Sequence, residues 1–202
     1  MNMVIGIDLD NTIISYDRVF INAAQTLKMP VGGENKIKLR DNLRQMEKGE
    51  QLWQKLQKVV YGFRYLEAEI MPGFEEFMSA VKAGGHQIYV VSHKTKYLFG
   101  DRKINLQQNM EDYLNKKGLL DKPYNLDGEN IFFEESRNLK LERIKKLKCD
   151  YFIDDLPEVL TAENFPGKTE RILLSDESLP GLPENVAVLK DWYAVKNYFF
   201  RK

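Results

Sequence analysis

The chain has 202 residues, 43% of them hydrophobic, enough to bury the core of one domain with a modest insertion. Lys and Arg number 30 and Asp and Glu number 30, so the formal net charge is zero and no global bias toward nucleic acid or anionic membrane surfaces is expected. The single cysteine excludes an internal disulfide, no charged leader with an apolar core precedes the first strand, and no apolar run approaches the length of a membrane span, so a cytoplasmic location is expected.

The first element is an apolar run over residues 3–7, Met-Val-Ile-Gly-Ile, which reads as a buried strand of a parallel sheet. It empties directly into Asp8-Leu9-Asp10-Asn11-Thr12. Side chains alternate along an extended segment, so Asp8 and Asp10 point the same way while Leu9 points back into the core. In open α/β sheets ligands bind just beyond the carboxyl ends of the strands, which is where both acids fall. Two carboxylates this close repel, and Mg²⁺ is the natural cation to relieve that repulsion, because it takes one or two carboxylates and leaves its other positions to water and substrate phosphate. A polar turn with a helix N-cap is the competing reading of the same residues.

Residues 13–71 hold no buried-strand run. Val19, Phe20, Ala23, Ala24 and Leu27 recur at helical spacing, as do Leu52, Trp53, Leu56, Val59 and Val60. Pro72 marks the start of a helix over 74–83, which Gly84-Gly85 closes. A strand over 88–91 then ends on Ser92-His93-Lys94-Thr95. A helix over 105–117 and a strand over 131–133 lead to a helix over 139–147, which carries Lys140 among the apolar Leu139, Leu141, Ile144 and Leu147. The strand over 151–153 ends on Asp154-Asp155, with Pro157 opening a new helix. Strands over 171–174 and 186–189 and a helix from about residue 191 close the chain, which shows no internal repeat. This alternation predicts an α/β fold, a Rossmann-like parallel sheet with helices on both faces.

Four polar clusters at strand ends or helix starts thus follow in the order Asp-x-Asp-x-Thr, Ser, Lys, Asp-Asp. That ordered set resembles the haloacid dehalogenase superfamily, in its phosphatase-type branch. Asp8, Asp10 and Thr12 match its first motif, Ser92 its second, Lys140 its third, and Asp154 with Asp155 its fourth. The stretches Val91-Ser92-His93-Lys94-Thr95 and Phe152-Ile153-Asp154-Asp155-Leu156-Pro157-Glu158 also look like a narrower group of hydrolase-like proteins without an assigned substrate.

The resemblance implies an α/β core domain over 1–12 and 72–202, with a helical cap inserted over 13–71. It implies Asp8 as nucleophile, forming an aspartyl-phosphate, and Asp10 as general acid and then base. Mg²⁺ would be held by Asp8, Asp154 and the Asp10 carbonyl, with Asp155 as a ligand or one step further out, while Lys140, Thr12 and Ser92 meet the phosphoryl oxygens. The expected activity is a Mg²⁺-dependent phosphomonoesterase acting on a small organic phosphate. A phosphotransferase or phosphomutase, or a catalytically weak binding or regulatory protein of the same fold, are the alternatives. Tyr16, Asp17, Arg18, Arg40, Arg44, Tyr61, Arg64 and Tyr65 are the cap's candidates for substrate contact. Lys94, Lys96 and Arg102 offer positive potential to an anionic substrate at that strand end or form an ordinary solvated loop, the second being the default reading, and His93 is a loop residue able to face the substrate pocket. Cys149 reads as a buried small hydrophobe.

Overall fold

Each short β-branched or aromatic run becomes a strand, and the helical periods between them become the connections. The computed structural model describes residues 2–33, 35–176 and 179–200. In chain order, β1 (Val4–Ile7), β2 (Ile14–Ser15), α1 (Asp17–Thr26), α2 (Lys36–Arg44), α3 (Gly49–Phe63) and β3 (Glu69–Ile70) precede α4 (Phe74–Ala83) and β4 (Gln87–His93). Then follow β5 (Tyr97–Leu98), β6 (Asp101–Asn105), α5 (Leu106–Lys116), β7 (Ile131–Glu134), α6 (Arg137–Leu147), β8 (Tyr151–Asp154), α7 (Pro157–Leu160), β9 (Glu170–Leu174), β10 (Val186–Leu189) and α8 (Trp192–Phe200).

The main sheet is parallel and six-stranded, in the order β10-β9-β8-β1-β4-β7. From β1 the chain runs outward through β4 to β7, returns to the other side of β1 as β8, and runs outward again to β10. With the right-handed crossovers that parallel strands favour, connections running in opposite directions leave α4 on one face and α6 and α7 on the other, and the order reverses between β1 and β8. On the first face Phe74 and Phe77 of α4 meet Trp192 of α8 at ring-centroid separations of 5.0 and 4.9 Å. On the second, Leu141 and Ile144 of α6 and Val159 and Leu160 of α7 bury themselves with Val91, Phe152, Leu173 and Cys149. Burial, with the charge of Asp150 beside it, pushes the Cys149 thiol up to about 12, so it is a packed hydrophobe rather than a thiolate.

The contacts divide the described residues into two compact units: the first holds residues up to Ile13, Ile70–Thr95 and those from Gly118, the second Ile14–Glu69 with Lys96–Lys117. By chain position residues 96–117 belong with the α/β domain, but they pack in the second unit. Tyr113 Oη donates to Ala68 O at 3.0 Å, Tyr65 Oη to Asp112 at 2.7 Å, and Lys58 pairs with Asp101 at 2.6 Å. The expected helices of the second unit form around an aromatic core in which Phe20 stacks on Trp53 with centroids 5.0 Å apart. The strands β2, β3 and β5 were not foreseen because two residues carry no alternation to read, and the five-residue β6 was not because Ile104 is its single apolar residue. Among the described residues no helix is long and apolar enough to cross a membrane.

Gly6, at the centre of β1, sits where a side chain has no room: a Cβ would lie 2.5 Å from Phe152 Cδ2 and 2.9 Å from Cys149 Sγ. Gly6→Ala should therefore destabilise the fold by about 1–3 kcal/mol, read from the urea midpoint. Gly128→Ala, where nothing lies within 4 Å, serves as the control and should shift it little.

Candidate active site

The site lies in the first unit, at the carboxyl end of the sheet where the strand order reverses. Asp8 follows β1 directly, its N–H donating to Ile153 O of β8 at 2.9 Å, so the ladder carries it one residue past the strand. Asp154 is the last residue of β8, and Ser92 lies within β4, which runs two residues beyond the expected end because Ser92 and His93 pair with Phe133 and Glu134 of β7. After Asp10 the chain turns through Asn11 at φ 57, a left-handed conformation that asparagine tolerates. Trp192 Nε1 donates to Thr12 O at 2.8 Å and pins the far side of this turn.

Lys140 reaches the site from α6. Ser136 caps that helix, its Oγ accepting from Leu139 N at 3.2 Å. This start phases the helix so that Lys140, Leu141 and Ile144 face inward, while Leu139, grouped with the apolar face in the sequence, is 43% exposed. Lys140 Nζ donates to Asp8 Oδ1 and to Asp154 Oδ2, both at 2.6 Å. Asp154 Oδ1 accepts from Leu156 N at 2.9 Å, and Thr12 Oγ1 donates to Asp155 Oδ1 at 3.4 Å. Of the residues expected from the sequence, Asp8, Thr12, Lys140, Asp154 and Asp155 are joined by these contacts, while Ser92 lies at the end of β4 beside β1 and Asp10 follows β1 by three residues.

Burial pushes the Asp8 carboxyl well above the carboxylate range; Lys140 pulls it down, and Asp154 and Asp155 push it further up. Burial also opposes the Lys140 charge, but the combined pull of Asp8 and Asp154 outweighs it and holds the ammonium above the ordinary lysine value. Lys140 is therefore an ammonium at any working pH.

Lys94 departs from its reading as a solvated loop residue. It is 7% exposed, and its Nζ donates to Asp10 Oδ2 at 2.6 Å. The signal was its spacing, since the second residue after Ser92 in an extended run lies on the same side. His93 stays exposed at the strand end; desolvation of its ring, with the charges of Lys140, Arg137 and Lys94, lowers its pKa against the opposing effect of the hydrogen bond its ring donates to the Glu135 backbone.

Asp8, Asp154 and Asp155 each offer a carboxylate oxygen, and these atoms lie within 4.8 Å of one another. Hard oxygen donors at this density fit a divalent cation such as Mg²⁺. Charge agrees, because the carboxylates of Asp8, Asp10, Asp154 and Asp155 outnumber the ammonium groups of Lys94 and Lys140. Asp10 is not one of these three; its side chain pairs with Lys94 instead. Among the described residues, two buried side-chain atoms, Asp10 Oδ1 and Ser92 Oγ, have no hydrogen-bond partner, as expected of groups lining a polar ligand's place.

No protein-family model matches the sequence. The chain is 25% identical over 199 residues to a protein named Putative nucleotidase from Oceanobacillus iheyensis, covering 95% of this chain and 96% of that one. Among solved structures it is similar to one described as a predicted phosphatase from Clostridium acetobutylicum, with a TM-score of 0.62, 13% identity and 98% of each chain covered. It is also similar to a HAD family hydrolase from Deinococcus radiodurans R1 with bound phosphate and sodium, with a TM-score of 0.58, 13% identity, and 98% and 95% of the two chains covered. The chain has the fold of the haloacid dehalogenase superfamily, with its polar clusters at the strand ends that fold brings together.

Lys140→Met leaves Asp8 and Asp154 buried without their shared cation. Urea unfolding in EDTA should show a loss of about 3–5 kcal/mol, the usual result of stranding a buried charge. Added Mg²⁺ should recover part of that loss by supplying the missing positive charge. A variant as stable as the parent would show that the ammonium does not hold the two carboxylates together.

Proposed function

We propose that this chain is a Mg²⁺-dependent phosphomonoesterase that hydrolyses a small organic phosphate through an aspartyl-phosphate on Asp8. The observation that carries this reading is the triad at the reversal of the sheet, Asp8–Lys140–Asp154, with a second acid, Asp10, two residues beyond the nucleophile. A cation on Asp8, Asp154, Asp155 and the Asp10 carbonyl would supply charge neutralisation for the phosphoryl oxygens. Nucleoside monophosphates head the substrate class, because the relative that spans almost the whole chain is named a nucleotidase.

Lys140 holds the Asp8 carboxylate in one orientation, and an oriented nucleophile removes much of the entropic barrier to attack. An Asp8 oxygen bonds to phosphorus while the ester oxygen departs with a proton from Asp10. In the second half Asp10 takes a proton from water, whose oxygen attacks phosphorus and releases Asp8 and inorganic phosphate. The Ser92 hydroxyl, buried and without a partner, donates to a phosphoryl oxygen, and Thr12 braces Asp155.

Phosphate release from a panel of nucleoside monophosphates and p-nitrophenyl phosphate, with Mg²⁺, tests the reading. Asp8→Asn should abolish turnover and EDTA should silence the parent protein. Asp10→Asn should slow alkyl esters by roughly 10²–10⁴-fold, the range of a positioned acid or base. Turnover that survives Asp8→Asn would sink the aspartyl-phosphate route.

A further inference from the structure

Lys94 belongs to none of the four motif positions, yet at 7% exposure it is almost as enclosed as Asp8 at 5%. Burying an ammonium costs several kcal/mol unless it is well paired, so its partner is informative. Its backbone is held as the tail of β4, the N–H donating to Glu134 O at 2.9 Å. From that fixed base Nζ spans to the tail of β1 and donates to Asp10 Oδ2 at 2.6 Å. The other oxygen of the same carboxyl, Oδ1, is buried and has no partner. The two oxygens of Asp10 are therefore not equivalent: one is tethered, and the other has no donor among the described residues.

We propose that Lys94 is a positioning residue for Asp10, fixing Oδ2 so that Oδ1 is the oxygen that gives and takes the proton. This rests on the phosphatase reading above. In the first half-reaction the Oδ1 proton passes to the ester oxygen as its bond to phosphorus breaks and the bond from Asp8 forms. In the second, Oδ1 takes a proton from the attacking water as the Asp8–phosphorus bond breaks. Lys94 exchanges no proton in either step; it removes the rotational freedom that would carry Oδ1 out of reach, and small misplacements of such a group are expensive in rate. The competing role for the same ammonium is direct binding of the substrate phosphoryl group, which would act on KM rather than kcat.

The test uses K94M and K94R in the native and D10N backgrounds. The substrates are p-nitrophenyl phosphate, whose leaving group needs no proton, and the best nucleoside monophosphate of the panel, whose alkoxide does. The expected result for K94M is a fall of about 10–100-fold in the single-turnover rate of alcohol release from the nucleotide, a fraction of the general-acid contribution. Release of p-nitrophenol should fall much less, KM should hold within about twofold, K94R should restore part of the loss, and K94M should have no further effect in D10N. A rise in KM of about tenfold at unchanged kcat, repeated in D10N, would overturn the proposal and make Lys94 a phosphate ligand. Equal losses on both substrates that add to those of D10N would overturn it too. A readout without turnover is the slowly exchanging Nζ proton signal of Lys94 in ¹⁵N-lysine-labelled, metal-free protein. That signal should vanish in D10N, and its persistence there would refute the tether. Absence of Asp8-dependent turnover in the parent protein, visible before any Lys94 variant is made, overturns the phosphatase reading and this inference with it. An active parent with an unaffected K94M overturns this inference alone.

Discussion

Lys140 Nζ lies 2.6 Å from carboxylates at the ends of two neighbouring strands, Asp8 and Asp154, and none of the three residues is more than 5% exposed. Taking each ion out of water costs several kcal/mol after relaxation. At an effective dielectric near 20, each attractive pair about 4 Å apart returns about 4 kcal/mol, while the two carboxylates repel each other. The triad therefore comes out near break-even for folding, and an apolar trio would serve stability as well. What an apolar trio would not do is hold an oriented carboxylate at the mouth of the sheet with unspent negative charge beside it. On the function proposed above that charge meets a cation and a phosphoryl group, and the rest of the first unit can be understood as what keeps the triad in register.

Register begins in β1. Because Gly6 has no side chain, Phe152 and Cys149 pack where its Cβ would project, and β1 and β8 pair as Ile5 with Tyr151, Gly6 with Phe152 and Ile7 with Ile153. Continuing that ladder by one residue brings Asp8 beside Asp154. The helix is phased as tightly as the strands: Ser136 caps α6 four residues before Lys140, and a start one residue later would turn the ammonium about 100° away from the carboxylates. Three local choices with no chemistry of their own, a glycine, a serine cap and a tryptophan hydrogen bond to Thr12, thus decide whether the charged groups meet.

Most of this site was legible because parallel sheets concentrate function at strand ends, and strand ends are marked by an abrupt switch from apolar to polar residues. Asp8, Ser92 and Asp154 all sit at such switches. Lys140 was harder to read, since a lysine in a helix with three others nearby looks solvated, and only tertiary contact reveals that it takes the inward position and displaces Leu139 to the surface. Lys94 was misread for the same reason: a cation after a strand is normally a loop residue, unless the strand keeps its alternation for two residues longer than its apolar run suggests, which β4 does by pairing with β7. The association of residues 96–117 with the second unit was not legible at all, because contacts between segments separated in sequence, such as Tyr113 with Ala68, leave no periodic trace.

The polar and aromatic residues of the second unit differ in how firmly they are held. Every polar or aromatic residue singled out there is engaged within the unit, but the engagements differ in strength. Tyr16, 1% exposed and edge-on to Tyr61 at 5.1 Å, is part of the core, so removing it would damage packing before it altered recognition. Tyr65 is tied to Asp112, whose hydrogen bond raises its hydroxyl to about 12 and keeps it a donor to that carboxylate. Asp17 accepts from the Lys36 backbone at 2.8 Å and so fixes the entry to α2. Arg18 and Arg44 are different: their pairs with Glu69 and Glu50 are exposed, and pairs of that kind are typically worth only about 0–1 kcal/mol. A side chain held that weakly can exchange its carboxylate for a ligand anion at almost no cost, whereas Tyr16 and Tyr65 cannot leave their places. Arg18 and Arg44 are therefore the residues of this set least committed to their present partners.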